Sequence, residues 1–505
     1  MEQQTFSVNP AGDYPPNTTR LDTIEKPRIT HSGVADFPFT AGEIMNHFRL
    51  AKRFPGSYFS MAEEIRHRAR EFADRYIRPR AVEMDKRISR EPLYFDWDLM
   101  REACKYRFFS MLIPTQFDGM GCYSLHMAAM VEELAAGCGG CATTIGVHSA
   151  GISCGLISLD PHILEKYVRG TALAEIAGEP VLWGGAVTEP AAGTDIWDED
   201  FINLGKIGTF AKKTSDGYVL NGRKCFISNG SVAKYIVVAA ALDPKSPLDS
   251  WSTFLVPADT DGFSVGRVER KMGQKASPTA ELIFEDMFLP KEMLIGVEGR
   301  GARYVTIYLA GSRGPVGAIG TGLARRALEC LIDWAMNKKT ARGRLIDQQA
   351  VQLVISKMTK EIEEARAAYV AAALKCDEIF LDIMSNPLVK TMLDTVPHGL
   401  YLNPTVVKIA KSGFAKNFIW NMLSSSAPED RLAQASSLAT IAKIKGSSVG
   451  VDVAAEAARI MGHDAADPRW PVEKCWRDAK LTQIYEGTNQ ANAITLFKDT
   501  ARTWR

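Results

Sequence analysis

No phosphate-binding glycine fingerprint occurs in this sequence: neither GxGxxG nor GxxxxGK[ST] is present. A dinucleotide, if bound, is therefore not held on a Rossmann or P-loop turn. Charge of one sign is not in excess: Lys and Arg total 60 against 59 for Asp and Glu, a net +1. Bulk electrostatics thus give no reason to expect nucleic acid or a membrane surface as partner. Long apolar runs are also missing, and none reads as reaching the roughly 18 residues of a membrane span. The first residues, "MEQQTFSVNPAGDYPPNTTRLDTIEKP", have neither an apolar secretory core nor an Arg-rich transit pattern. These absences make a cytoplasmic location the expectation. Cysteine is sparse and odd in number, nine in 505 residues, which suits reduced thiols. The one CxxC pair, Cys138 and Cys141, has no second CxxC and no His pair at zinc spacing nearby, so no metal site is expected. The pair reads as small residues at a close helix contact.

What is present is ordinary globular composition, 46 % hydrophobic and 24 % charged. At 505 residues the chain is too long for a single core. Residues 1–58 are polar and Pro-containing and read as an extension. The stretch from Met61 places Ile65, Phe72, Ala73, Tyr76 and Ile77 near one helical face, and helical texture continues to about 180. From 181 to 297, "GYVLNGRKCFISNG", "STFLVPADTDGFSV" and "AELIFEDMFL" are strand-like and bounded by Asn-Gly and Asp-Gly turns. From 298 to 505 the helical period returns, with Leu323, Ala324, Ala327, Leu328, Leu331 and Ile332 on one face. A less regular stretch at about 380–432 reads as an insertion. The order helices, strands, helices argues against a doubly wound α/β sheet. It predicts a mainly α chain with a central β-domain.

Four segments carry a more specific signal. They are "WGGAVTEPAAGTD" (183–195), "NGRKCFISNG" (221–230), "GFSVGRVERKMGQKASPTAELIFEDMFLPKEMLIGVEGRG" (262–301) and "WPVEKCWRDAKLTQIYEGTNQ" (470–490). Together, and in this order, they resemble the acyl-CoA dehydrogenase family. The resemblance implies an N-terminal helical domain, a middle β-barrel-like domain and a C-terminal helical bundle. It implies bound FAD, an acyl-CoA substrate, an electron-transfer flavoprotein as acceptor, and a homotetramer, with a dimer as the alternative.

The chemistry explains why a carboxylate would sit in "YEGT". Removing hydrogen across Cα–Cβ of a thioester needs a base on one face and a hydride acceptor on the other. The carbonyl oxygen must be hydrogen-bonded as charge develops, and a carboxylate within reach of Cα can take the proton. By resemblance Glu486 is that base, and its backbone N–H, beside Gly487, helps hold the carbonyl. The family's alternative base position falls at Ser312, which is no base. Arg313 matches an arginine near the acyl-CoA site. The resemblance further assigns Val187, Thr188, Phe226 and Ser228 to the flavin ring, Thr194 to the CoA chain, and Thr488 and Gln490 to the phosphate and adenosine end. Lys338 stands where members use an Arg against a neighbouring subunit's FAD, with Thr340 and Gln349 alongside. Arg459 replaces the Gln of the family's QxxGGxG turn and His463 its second Gly. On "CATTIGVHSAG", Gly146 is expected at the pocket floor, and His148 either bonds a polar group of the tail or, the favoured reading, is a satisfied core His. The absence of Arg there disfavours a second carboxylate and favours a neutral, bulky acyl group. Two other readings stay open: an oxidase or other elimination flavoenzyme of this fold, and a non-catalytic helical binding protein.

Overall fold

The computed structural model describes residues 52–193, 207–247 and 249–501, so the extension lies almost wholly outside the described residues. Helix α1 (Gly56–Phe72) buries Ile65, Ala69 and Phe72. A π-turn at Ala73–Ile77 then rotates Ala73 and Ile77 onto the same buried stripe. Helices α2 (Ala81–Arg90) and α3 (Trp97–Cys104) follow. Next come α4 (Ser124–Gly137) and α5 (Gly139–Ile157), separated only by Cys138 in an extended conformation. Helix α5 corrects one expectation. By length and composition it is apolar enough to cross a membrane, yet 83 % of that window is buried inside the protein. Its Thr, Ser, Gly and His residues break the visual run while leaving mean hydropathy high.

Eight strands form one sheet, and a separate two-stranded hairpin pairs Lys339–Thr340 with Gly343–Arg344. The eight are β1 (Trp183–Ala186), β2 (Phe210–Lys213), β3 (Gly217–Ser228), β4 (Tyr235–Ala241), β5 (Trp251–Pro257), β6 (Phe263–Val268), β7 (Thr279–Pro290) and β8 (Leu294–Ile295). Their order is β6-β7-β3-β2-β4-β5-β8, with β1 parallel to β4. The β3–β7 register shifts between Lys224 and Ile227. At this bulge Phe226 takes φ +57 and is 59 % exposed.

Three long helices follow: α6 (Gly301–Asn337), α7 (Gln349–Met384) and α8 (Glu429–Met461). Helices α6 and α8 cross with their backbones in contact. A Cβ on Gly446 would lie 2.2 Å from the Gly317 carbonyl oxygen, and one on Gly317 would lie 2.4 Å from that of Ala442. Only glycine permits this approach. Helices α9 (Val472–Thr482) and α10 (Asn489–Ala501) close the chain.

The stretch after Met384, expected to be irregular, is instead a run of short helices. Asn386 caps Pro387–Thr395 and Asn403 caps Pro404–Ala410, each with its side chain accepting a backbone N–H. In each, the Asn-Pro pair is an N-cap followed by Pro at the first helical position, where its missing N–H costs nothing. Ser412 caps Gly413–Ser426 in the same way. Val389, Leu393, Tyr401 and Leu423 from these helices join the apolar core that also contains the sheet and the end of α5.

Two buried histidines tie the N-terminal helices together. His126 Nδ1 accepts the Tyr123 backbone N–H at 3.0 Å, and its Nε2 lies 3.0 Å from the Tyr58 carbonyl oxygen. His148 Nδ1 accepts the Trp183 N–H at 3.1 Å, and its Nε2 lies 2.7 Å from the Phe109 carbonyl oxygen. These partners assign the neutral Nε2–H tautomer to both rings. They also leave no atom of His148 for a ligand, in agreement with a satisfied core His and in contrast to the reading in which it bonds the acyl tail. Burial pushes both rings down to about 4. An unfolded His protonates near about 6.5. Between those values the unfolded chain takes up protons that the native state refuses, so stability falls on acidification, by up to about 1.4 kcal/mol per pH unit per ring. Asp377, pushed up to about 6 by burial, works in the opposite direction over the lower part of this window. The diagnostic quantity is therefore a difference: His148→Gln should lose less stability than the parent between pH 6.5 and pH 4.5 in urea unfolding. Equal acid sensitivity in the two proteins would contradict the assignment.

Candidate active site

Between α9 and α10 the chain makes a tight turn through Glu486 (φ +56) and Gly487 (φ +81). A left-handed Glu costs roughly 1–2 kcal/mol, so surrounding contacts must hold it. They come from α6, α8 and α10. The Glu486 carbonyl accepts from Arg313 Nε at 3.2 Å and from Asn492 Nδ2 at 3.2 Å. The Gly487 carbonyl accepts from Lys443 Nζ at 2.7 Å and from Asn492 Nδ2 at 2.8 Å. A Cβ on Gly487 would sit 2.9 Å from that Asn492 nitrogen. Lys443 is fully buried, and burial, with the nearby Arg313 charge, brings its ammonium down to about 7 against the pull of Glu486. Arg313 is itself buried and also donates to Thr440 at 3.2 Å. Its observed partners are thus the turn and α8.

The Glu486 carboxylate is held at both oxygens. Tyr308 Oη donates to Oε1 at 2.8 Å, and Ser312 Oγ donates to Oε2 at 2.9 Å. These two residues lie one turn apart on α6 and so share a face. Burial, and secondly the Glu486 charge, raise the Tyr308 phenol well above its ordinary value, which keeps it a donor. The Glu486 backbone N–H, by contrast, has no hydrogen-bond partner among the described residues.

Tyr308 and Ser312 also line a cavity of about 490 Å³. Its walls come from the stretch Leu112–Tyr123, from the start of α4, from α5, from α6, from the end of α7 and from the short helices after Met384. The cavity is mainly apolar, as small-molecule sites usually are. Gly146 is not on its wall. A Cβ there would meet Val131 Cγ1 at 3.5 Å and Met127 Cε at 3.9 Å, both ordinary contacts, so Gly146 lies behind Met127, which does line the cavity.

The strand residues gather elsewhere. The Cys225 N–H donates to the Thr188 carbonyl at 3.0 Å. The buried Lys224 donates to the Val187 carbonyl at 2.9 Å and to Glu189 at 2.7 Å. Val187 and Thr188 therefore run alongside the β3 bulge that carries Phe226 and Ser228. The Thr188 and Ser228 hydroxyls make no hydrogen bond among the described residues, and both side chains are half-buried. Thr194 lies outside the described residues. Thr488 Oγ1 accepts the Ala491 N–H at 3.2 Å as a cap of α10, and Gln490 is exposed beside it.

A third group is remote from Glu486. Lys338 follows Tyr308 by thirty residues, essentially all in α6, which is about 45 Å of helix. Lys338 pairs with Asp464 at 3.0 Å. Thr340 Oγ1 donates to the Gly343 carbonyl in a small hairpin, and Gln348 donates back to it. Gln349 opens α7 and is exposed, and Arg459 pairs with Glu456 on the surface. One copy of the chain does not bring these four residues to Glu486.

Three residues of the site had gone unnoticed in the sequence. Tyr308 was discoverable, since it precedes Ser312 by four on a predicted helix. Lys443 and Asn492 were not, because their partners are carbonyls of a turn distant in sequence.

Comparison with known proteins agrees with this architecture. The acyl-CoA dehydrogenase N-terminal domain matches residues 60–160, the middle domain 184–287, and the C-terminal domain 299–396 and 415–499. A Mycobacterium tuberculosis protein named "Probable acyl-CoA dehydrogenase FadE25" is 28 % identical over 436 residues, which is 86 % of this chain and 94 % of that protein. The butyryl-CoA dehydrogenase of Megasphaera elsdenii superposes with a TM-score of 0.68 at 25 % identity, over 86 % of this chain and 97 % of that one. A chain from structural work on the electron transferring flavoprotein of Acidaminococcus fermentans gives 0.68 at 28 % identity, over 87 % and 97 %. With helices, sheet and helical bundle each matched in turn along most of its length, the chain belongs to the acyl-CoA dehydrogenase family.

Proposed function

We propose that the protein is an FAD-dependent dehydrogenase that converts an acyl-CoA thioester to its trans-2-enoyl-CoA, with Glu486 taking the α-proton. The observation that carries this reading is the Glu486 carboxylate bonded to Tyr308 and Ser312, two residues that line an apolar cavity, with the Glu486 backbone N–H making no hydrogen bond among the described residues. A thioester carbonyl accepting that N–H would lie next to the carboxylate, so the group that polarises the carbonyl and the group that removes the adjacent proton belong to one residue. Tyr308 and Ser312 orient the carboxylate, and Arg313, Lys443 and Asn492 hold the backbone from which it projects.

The described residues fit FAD. Phe226 is exposed on a bulge, and Ser228 on the same strand and Thr188 on the segment running alongside it offer unbonded hydroxyls, with Val187 adjacent. Bound there, FAD supplies the acceptor for the β-hydride, and the protein's part is to position it. Thr488 and Gln490 would serve its phosphate and adenosine end. Lys338, Thr340, Gln349 and Arg459, too distant to reach the same site, would meet the FAD of another copy in a homotetramer. Thr194 would contact the CoA chain. Electrons then leave to an electron-transfer flavoprotein.

Glu486→Gln keeps an acceptor for Tyr308 or Ser312 and should fold and retain FAD. Its anaerobic flavin reduction by acyl-CoA should fall by about 10²–10⁴-fold, the usual contribution of a positioned base. Near-normal bleaching would remove Glu486 from that role. A second outcome concerns the acceptor. Turnover should be slow in air and fast with electron-transfer flavoprotein or an artificial dye. Peroxide formed stoichiometrically at a comparable rate would instead identify an oxidase.

A further inference from the structure

We infer that the substrate's acyl tail is a large apolar group that reaches the short helices following Met384, and that these helices set the enzyme's preference. The inference rests on the dehydrogenase reading above and concerns the same site. The cavity starts at Tyr308 and Ser312, the residues that hold the Glu486 carboxylate. An acyl group whose Cα lies at Glu486 would run its tail past Tyr308 and Ser312 into this cavity.

The cavity does not stop at the helices that bear the chemistry. Small residues on that side, Ala150 and Ser153 of α5 and Gly311 of α6, leave it open. Its far wall is Phe380 and Met384 at the end of α7, Leu393 on the first short helix, and Leu423 on the last. Leu393 and Leu423 flank residues 397–414, which the family's C-terminal domain does not match. Leu393 and Leu423 themselves lie inside the matched segments, 299–396 and 415–499, so the wall stands at the two borders of the unmatched stretch. These helices are also firmly seated. Leu393, Tyr401 and Leu423 are buried in the core shared with the sheet, Tyr401 donates to the Met392 carbonyl at 2.7 Å, and Lys411 donates to the Glu292 carbonyl at 2.7 Å and pairs with Asp160. A pre-formed wall rewards a tail that reaches it and gains nothing from one that does not.

A cavity of about 490 Å³ falls in the range that holds drug-sized ligands, roughly 300–1,000 Å³, far more than a butyryl group occupies. The outer rim, at Gln116, Lys390 and Asp394, is polar, and Gln116 donates to Asp394 at 2.7 Å. The lining is mainly apolar, with single hydroxyls at Thr115, Tyr123, Ser124, Ser153 and Ser385, so it suits a tail that is apolar over most of its length. A long straight chain and a multi-ring carboxylic acid share this chemistry.

The test is anaerobic flavin reduction and kcat/KM with butyryl-, palmitoyl- and a polycyclic carboxyl-CoA, on the FAD-loaded enzyme and on Leu393→Trp. Each buried methylene is worth about fourfold. The large thioesters should therefore exceed butyryl-CoA by well over about tenfold, with the straight-chain and polycyclic arms showing which shape fits. Leu393→Trp should reduce the ratio of large to small substrate by at least about tenfold, with thermal unfolding and flavin absorbance reporting that it folds. A preference for butyryl-CoA in the parent, or an unchanged ratio in the folded variant, overturns the inference while leaving the dehydrogenase reading intact. Failure of every thioester to bleach the flavin overturns both.

Discussion

The close crossing of α6 and α8 is the constraint on which the site depends. At Gly317, Gly320 and Gly446 the two helix backbones touch, leaving no room for a Cβ on either side. Because the helices approach this closely, Arg313 on one and Thr440 and Lys443 on the other meet beneath the same turn. A methyl group at the crossing would push the helices apart, and overpacking of this kind costs typically about 1–3 kcal/mol. More important for function, it would move the donors away from the carbonyls they hold. The geometry of Glu486 is therefore set by a contact that contains none of the reacting atoms.

The turn itself uses an unusual inversion. Helix ends and loops normally leave carbonyls to water. Here the carbonyls of Glu486, Gly487 and Thr488 are satisfied by a guanidinium, an ammonium and one amide from Asn492. Burying Lys443 costs solvation, which is why its ammonium is brought down to about 7. With the carbonyls engaged, the Glu486 carboxylate is left to Tyr308 and Ser312, which line the cavity, and its N–H makes no hydrogen bond among the described residues. A left-handed residue, a glycine and buried cations are then parts of one arrangement.

Much of this was legible in the sequence. The helix–strand–helix order followed from the change of period, and the family from four segments in order. Glu486 and Ser312 were singled out on different grounds, and the structure places their side chains 2.9 Å apart. The rest was hidden for physical reasons. Asn-Pro pairs at 386–387 and 403–404 looked like breaks because the same dipeptide that ends one helix caps the next. Gly146 looked like a missing pocket wall, but period alone does not distinguish the face toward Met127 from the face toward the cavity. His148 reads in the sequence first as a satisfied core His, and its backbone partners at Phe109 and Trp183 agree with that reading and not with a pocket residue. Lys443 reads as an ordinary helix lysine, since only tertiary structure identifies a cation with carbonyls for partners.

The central claim is that buried cations beneath the turn hold Glu486 where it can act. Rapid-mixing measurement of flavin reduction in Lys443→Met tests it most directly, because methionine keeps the length and packing of the side chain while removing its donor. The account predicts an unchanged flavin content and a reduction rate lowered by about tenfold or more, roughly the loss of one hydrogen bond to a charged group. A folded Lys443→Met protein that reduces its flavin at the parental rate would contradict it.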